Sequence, residues 1–578
     1  MRYFVCVLAL AGCFDTDSIS RNPPVQNLVD DWRDEIIYQI VTDRFADGDY
    51  TNDYGADESG LALARYQGGD WKGIQEHLDY VEALGVTALW ISPVVRNVEE
   101  DAGIAGYHGY WTQNFLQTNP HFGDLTALRE LVAECHRRKI KVILDIVVNH
   151  IGQLFYYDIN ENGRPDDVVI GTGGGGPLGL PPGGDVGHLS EFDPDYDPRG
   201  IQAATALGSA GPAPIRFFYV PDIDRMPPEP AVFQNPAFYH KRGRIYDYTS
   251  REQVLFGDFP GGLKDLATEN PDVVRALENV YEYWADAVDF DGFRIDTVKH
   301  VDHPFWQQWG AGIRDHQNSR GKKNFLMFGE VFDGDDAFVA SYTQNGELDS
   351  VQDFPHKYTV VNGVLEHGGA TKAVEQLRTA QAADFPSATA PILVRFLDTH
   401  DGPRFLFDTP DPAILRQALG YLLTADGIPS IYYGTEQEFH GGNDPTNRER
   451  LWPTGFATGG TTFQWIAQLT RLRSAHESLR RGDLTIRWST VRVAAEEDAG
   501  ILAFERSTPT ERFLVVLNVS DLHSSHTSFG GAAMKTGFPG GTTLHTIFGT
   551  DTDTVQIAAD QTVTIEMPSR GFRVYAPQ

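Results

Sequence analysis

The sequence predicts an α/β fold: a (β/α)8 TIM barrel, interrupted by an irregular inserted subdomain after strand 3 and followed by a C-terminal antiparallel β-sandwich domain. Three observations carry that expectation. Short apolar strands alternate with amphipathic helices, the rhythm of a parallel sheet covered by helices. Eight such strands can be counted, the number a closed barrel of this type requires. After roughly residue 485 the helices stop, and alternating strands separated by turns take over.

The chain has the material for such a fold. Its 578 residues are 41% hydrophobic and 12% aromatic, enough for a large core. Asp+Glu number 80 against 47 Lys+Arg, a net charge of −33. That balance opposes nucleic acid and anionic membrane as partners and suits a neutral or cationic ligand.

Taken in order, the first element is not part of the fold. "MRYFVCVLALAGC" has one positive charge and an apolar run too short to span a bilayer, so residues 1–13 read as a signal peptide. Its ending, Leu10-Ala11-Gly12-Cys13, resembles a bacterial lipobox. The implication is a lipid anchor on Cys13 and export as a periplasmic or cell-surface lipoprotein. Residues 14–30, polar and carrying a Pro-Pro pair, read as a tether. With Cys6 removed and Cys13 acylated, Cys135 is the only thiol left in the folded part, so no intramolecular disulfide can form. Leu125, Leu128, Leu131, Val132 and Cys135 follow helical spacing, which places that thiol on a packed face.

The first part of the barrel covers 31–150: a strand "IIYQIV" (36–41), a helix "IQEHLDYVEAL" ended by Gly85, a strand "VTALWIS" (86–92), the Cys135 helix and a strand "IKVILDIVV" (140–148). Residues 151–265 break the rhythm. Stretches such as "GTGGGGPLGLPPGGD" cannot be regular elements, so this is an inserted subdomain. The barrel resumes over 266–484 with a helix capped by Asn270 and begun by Pro271, then the strands "FDGFRID", "FLMFGEV", "LDSVQDF", "PILVRFLD" and "IPSIYYG". Residues 485–578 form the β domain.

In a barrel of this kind chemistry sits at the C-terminal ends of the strands. Four ends are polar here: "DIVVNH" (145–150), "RIDTVKH" (294–300), "GEVF" with Glu330, and "FLDTHD" with His400 and Asp401. Arg294 and Asp296 share one face of their strand, opposite Phe293 and Ile295. Either they form a structural ion pair, or Arg294 keeps Asp296 charged for a reaction.

These four segments, in this order, resemble the α-amylase family of retaining glycoside hydrolases. The likeness extends to "GVTALWISPV" (85–94), "GYHGYW" (106–111), "GGLKDL" (261–266), "GIPSIYYGTEQ" (427–437) and "GGNDPTNRE" (441–449), and so takes in the whole barrel. It implies Asp296 as nucleophile, Glu330 as general acid/base and Asp401 as a third carboxylate holding sugar hydroxyls. Retaining cleavage uses one carboxyl that donates a proton and one that attacks the anomeric carbon. It further implies Arg294, His108, His150 and His400 beside the sugar, Tyr110 stacked on it, Asp444 and Arg448 as a further substrate-side pair, and Lys299 and His300 as in enzymes acting on α-1,4 chains.

The same resemblance implies calcium, which takes six to eight oxygen ligands. One expected site joins Asn149, Asp265 and the carbonyl of His300. A second, similar to one in cyclodextrin-forming relatives, would use Asp47, Asp49, Asn52 and Asp53 with Gly68 and Asp70. "DINENG" (158–163) has the opening spacing of an EF-hand loop but Val169 where the closing glutamate belongs, so calcium loop and Asx turn both stand. The expected activity is endo-hydrolysis of α-1,4-glucosidic bonds in starch, glycogen or maltooligosaccharides by a monomer. The alternatives are a 4-α-glucanotransferase or cyclodextrin-processing enzyme and, outside enzymes, an inactive glycan-binding protein.

Overall fold

The computed structural model describes residues 22–57, 59–165, 167–170, 187–201 and 212–578. The signal peptide with Cys6 and Cys13, the start of the tether and the glycine-rich run over 171–186 lie outside them.

Eight parallel strands form the barrel: Ile37–Ile40, Ala88–Ile91, Lys141–Ile146, Gly292–Ile295, Leu326–Gly329, Ser350–Val351, Val394–Phe396 and Ile428–Tyr432. These are the eight expected, in sequence order. Numbered one to eight, they lie side by side as 6-5-4-3-2-1-8-7. The ring closes between strands six and seven through one parallel bridge, Gln352 to Val394. Strand one pairs on one side with strand two (Ile37 with Ala88) and on the other with strand eight (Ile37 with Ser430).

Helices cover the barrel where the apolar spacing called for them. Leu125–Arg137 starts at Asp124, whose side chain accepts from the Ala127 amide, and buries Cys135, which is unpaired. Pro271–Val288 starts at Asn270 and buries one stripe from Val273 to Val288. The helix expected over 74–84 is two pieces instead, Trp71–Glu76 and Leu78–Leu84. His77 leaves helical geometry between them, and its Nδ1 lies 2.9 Å from the Gly73 carbonyl.

Part of the expected tether is bound to the barrel. The Gln26 amide donates to Asp289 at 2.8 Å, Asn27 donates to the Gly321 carbonyl at 3.0 Å, and Asn324 donates to the Val29 carbonyl at 2.8 Å. The insertion is, among its described residues, a set of two-stranded ladders and short 3-10 turns, with Phe155–Tyr157 paired to Ile215–Phe217. His150–Ile151 pairs antiparallel with Lys264–Asp265, tying its two ends together.

The C-terminal region starts at Asp483 with a six-stranded antiparallel sheet and carries smaller ladders as a second layer. Alternation along its strands is clean. Ile501, Ala503, Leu514 and Val516 face Met534, Val563 and Met567 of the second layer. The residues between them, Leu502, Phe504, Val515 and Leu517, join the core shared with the barrel.

Candidate active site

Register decides which polar side chains meet. Arg294 on strand four pairs with Asp145 on strand three, and Phe293 on the opposite face packs against Phe325 with rings 4.8 Å apart. Arg294 therefore points into the barrel beside Asp145, as the two-residue alternation requires. Strands four and five run on together: the Glu330 amide donates to the Ile295 carbonyl at 2.8 Å and the Val298 amide to the Glu330 carbonyl at 3.0 Å. Asp296 and Glu330 thus emerge side by side at adjacent strand ends. Thr297 takes the left-handed conformation, φ 50°, and its amide donates to Glu330 Oε2 at 3.0 Å.

Arg294 is wholly buried and reaches four carboxylates. Nη1 lies 2.9 Å from Asp145 and 2.9 Å from Asp296, while Nη2 lies 3.1 Å from Glu330 and 3.8 Å from Asp401. Its Nε donates to Gln352, the residue that closes the barrel, at 3.3 Å. The sequence left two readings, a structural ion pair or Arg294 keeping Asp296 charged; in the structure one guanidinium is divided among four carboxylates. Burial and the neighbouring Glu330 carboxylate raise Asp296 well above the usual carboxylate range, against the pull of Arg294. Asp145 is likewise pushed up to about 6 by burial, opposed by Arg294.

Across the cleft, Asp401 is 29% exposed on its side chain and sits 3.2 Å from His400 Nε2 and 3.9 Å from Arg448. Burial raises its pKa, with Arg294 and Arg448 opposing. His400 belongs to a chain of hydrogen bonds. Gln39 Nε2 lies 2.5 Å from His400 Nδ1; His400 Nε2 lies 2.8 Å from the Tyr110 hydroxyl; that hydroxyl donates to Asp145 at 2.8 Å. With Nδ1 accepting from the amide, the proton of His400 is on Nε2 and faces Tyr110 and Asp401. The Tyr110 ring stacks on His400, centroids 5.3 Å apart and planes 4° from parallel.

The other expected residues gather around the same space. His108 accepts from the Tyr110 amide at Nδ1, 3.0 Å, which leaves its Nε2–H for the cleft. His108 and His400 are both held well below the usual histidine range, first by burial. His150 lines the cleft, but its nitrogens face inward: Nε2 is 3.2 Å from the Tyr110 carbonyl and Nδ1 3.3 Å from the Asn149 amide. Its role in this geometry is to support Tyr110. His300 donates through Nδ1 to the Val254 carbonyl at 3.1 Å, and Lys299 donates to the Phe332 carbonyl at 2.5 Å. Arg448 bonds the His400 carbonyl at 3.1 Å and Asp444 at 3.1 Å, and the Tyr107 hydroxyl donates to Asp444 at 3.1 Å.

Together these side chains enclose a cleft of about 610 Å³, with Phe259, Leu263 and Phe332 as apolar wall. Four contributors were not read from the sequence: Gln39, Trp90, Asp145 as a ligand of Arg294, and Gln352. Trp90 donates to Asp145 at 2.9 Å. The available signal was a polar residue inside an otherwise apolar strand, Gln39 in "IIYQIV" and Asp145 in "VILDIV".

The expected metal residues are arranged in two places. Among the described residues no three His, Cys, Asp or Glu side chains make a ready metal group. At the first place Leu266 donates to the Asn149 carbonyl at 2.9 Å, Asp265 Oδ2 is bonded to His240, and Asp265 Oδ1 is buried without a partner. Burial pushes Asp265 up to about 7. At the second, Asp47 Oδ1 is buried without a partner, and burial with the charges of Asp53, Asp70 and Asp49 pushes Asp47 up to about 7. Gly68, φ 99°, lies so close that a Cβ there would stand 2.7 Å from Asp53. The other candidates do local work: Asp49 holds Thr51, the Asn52 amide donates to the Asp49 carbonyl, and Asp70 caps the helix at Gly73 at 2.6 Å. In "DINENG" Asn160 accepts from the Asn162 amide at 3.1 Å and Asn162 from the Arg164 amide at 2.8 Å, two successive Asx turns, while Asp158 accepts from the Gly163 amide and is ion-paired to Arg216.

Comparison with known proteins decides the family. The family description "Alpha amylase, catalytic domain" matches residues 39–169 and 209–451. The chain belongs to the alpha-amylase family of glycoside hydrolases. It is 33% identical over 560 residues to an alpha-amylase of Streptomyces lividans, covering 87% of this chain and 56% of that protein. It is 29% identical over 520 residues to a cyclomaltodextrin glucanotransferase of Bacillus licheniformis, covering 87% and 63%. Among solved structures, an Anoxybacillus alpha-amylase superposes with TM-score 0.70 at 28% identity, covering 95% of this chain and 99% of that one. The chain spans little more than half the length of the first curated relatives, 56% and 58%. Family membership fits the barrel, the C-terminal sheet and the polar strand ends.

Proposed function

We propose that this protein hydrolyses α-1,4-glucosidic bonds of starch, glycogen or maltooligosaccharides by endo attack, with retention at the anomeric carbon. The observation that carries the reading is the Arg294 guanidinium joining Asp296 and Glu330 at adjacent strand ends, with Asp401 facing them in an open cleft. In the form that reacts Asp296 is ionised, its charge held by Arg294 Nη1 at 2.9 Å against the opposing effect of burial. Its carboxylate attacks the anomeric carbon while the Glu330 carboxyl gives its proton to the departing glycosidic oxygen, forming a glycosyl ester. Glu330, now a base, takes a proton from water, whose oxygen attacks the same carbon and releases Asp296. Two inversions give retention. Tyr110 offers a ring fixed by His400 and Asp145, His108 offers an N–H group, His400 holds Tyr110 and Asp401 in place, and Asp401 accepts sugar hydroxyls.

A second reading, transfer to another sugar, draws support from Phe332, 44% exposed on the cleft wall, which could favour a sugar acceptor over water. A product profile separates the two. Starch and maltoheptaose should yield short α-anomeric maltooligosaccharides; cyclic or lengthened products would move the assignment to a glucanotransferase, and no product would leave a glycan-binding protein.

Calcium belongs to the proposal. The orphaned oxygens of Asp265 and Asp47 suit a hard cation that completes its shell with carbonyls. Asn149, Asp265 and the His300 carbonyl would hold one ion; Asp47 and Asp53, beside Gly68, would anchor another. Bound calcium would supply charge compensation and stiffness. Export with lipid on Cys13 is proposed from the N-terminal sequence, and the mass of the mature N-terminal peptide tests it.

A further inference from the structure

The end of the barrel opposite the cleft holds a concentration of positive charge that the reaction does not use. Where the N-terminal ends of strands seven and eight meet the first strands of the C-terminal sheet, Arg33, Arg378, Arg395, Arg480, Arg481 and Arg506 surround a cavity of about 460 Å³. In a chain of net charge −33 this is a local reversal of sign. Most of these cations have partners. Arg378 lies 2.5 Å from Asp426, Arg395 3.1 Å from Asp353, Arg480 2.7 Å from Asp34, and Arg33 2.6 Å from Asp31; Arg481 also reaches Asp34.

Arg506 differs. It is fully buried, makes no ion pair among the described residues, donates to the carbonyls of Thr424 at 2.8 Å and Gly482 at 3.0 Å, and has an Nε with no partner. Behind it Arg473, equally buried, is held by carbonyls alone, among them Ala425 at 3.0 Å and Gly427 at 2.9 Å. Burial, above all, depresses both, Arg506 to about 10 and Arg473 to about 9, with Arg506 adding to the shift of Arg473. Asp426, with Asp483 for Arg506 and Asp34 for Arg473, offsets part of that burial, yet neither guanidinium has a carboxylate in ion-pair contact among the described residues, and such burial is costly.

We propose that this cavity is a binding site for a phosphate-bearing small molecule, the phosphate lying between Arg506 and the rim guanidiniums of Arg378 and Arg481. Guanidinium forks match phosphate oxygens two at a time. The six lining arginines outweigh the two lining carboxylates, Asp426 and Asp483, and an anion among them adds to the partial compensation that Arg506 already has. The volume is that of a small-molecule site, far more than a halide fills. No aromatic ring lines the cavity, so it lacks the platform a neutral sugar would need.

Calorimetry and thermal melting of the full protein test this, with inorganic phosphate and glucose 6-phosphate as probes and sodium chloride at matched ionic strength as control. Expected are saturable one-to-one binding and a rise in Tm with either phosphate that chloride does not give. Equal affinity would identify the phosphate group as the whole ligand, and tighter binding of the ester would add its sugar. Arg481→Gln, on the rim, should weaken binding at least about tenfold and leave starch hydrolysis unchanged; Arg506→Lys, if it folds, should weaken it further. Stabilisation by chloride equal to that by phosphate, or wild-type affinity in Arg481→Gln, overturns the proposal.

Discussion

At the scale of single residues, the site is governed by how few cations serve how many carboxylates. Asp296→Asn should keep the fold and lower kcat on maltoheptaose by about 10³-fold or more, because the amide cannot form the glycosyl ester; circular dichroism with kcat checks both halves. Gln39 tests a subtler link. Gln39→Leu removes the donor to His400 Nδ1 and with it the reason His400 presents Nε2–H to Asp401, so kcat should fall by about 10- to 100-fold with little change in melting temperature. If kcat is untouched, His400 is oriented by Tyr110 alone. The three carboxylates were legible in the sequence because each sits at a strand end amid residues of recognisable chemistry. Gln39 was not, since one amide in an apolar strand carries no sign of what it faces until strand seven supplies His400. His150 was legible as a cleft residue, while its use as a prop for Tyr110 depends on ring orientation, which no sequence pattern encodes.

Elements were readable where periodicity is local. Eight apolar runs gave eight strands, and the Asn270-Pro271 start gave its helix, because caps and spacing act within a few residues. The break at His77 was not readable, since "IQEHLDYVEAL" keeps helical spacing through it. Loops test the calcium proposal at this scale. Gly68 combines φ 99° with Asp53 Oδ1 only 2.7 Å from where a Cβ would stand, so Gly68→Ala strains its own backbone, pushes the Asp53 carboxylate out of place and should cost on the order of 1–3 kcal/mol. Chelation should lower the Tm of wild type. In Gly68→Ala part of that shift should be gone, measured by melting with and without EDTA. An equal EDTA shift in both proteins would leave only the Asp265 site.

For the molecule as a whole, acid stability follows from buried imidazoles. His356, packed against Tyr421 and not among the residues lining the cleft, is held well below the usual histidine range by burial and by Arg395. Its folded pKa is below its unfolded value of about 6.5, so the unfolded chain binds the proton first. The stability it contributes is present above pH 6.5 and lost as pH falls below it. His108 and His400 act in the same direction, whereas Asp145, raised to about 6, favours the fold as pH drops through 6. The difference between wild type and His356→Gln isolates one group: below pH 6.5 the variant's Tm should decline less steeply, by scanning calorimetry at several pH values. The β domain was legible as alternating strands, but the sharing of one of its faces with the barrel was not, because both faces of "ILAFERS" and "RFLVVLN" read as apolar until the partner layers are known. The position of strand one between strands two and eight has a consequence for synthesis. Ile37 leaves the ribosome early, and its partner Ser430 lies on the last of the eight barrel strands to be made. At about 5–20 residues per second the unsatisfied edge of an apolar strand waits on the order of tens of seconds for its neighbour. The chain is therefore most exposed to mispairing with other nascent copies before its catalytic residues have a barrel to stand on.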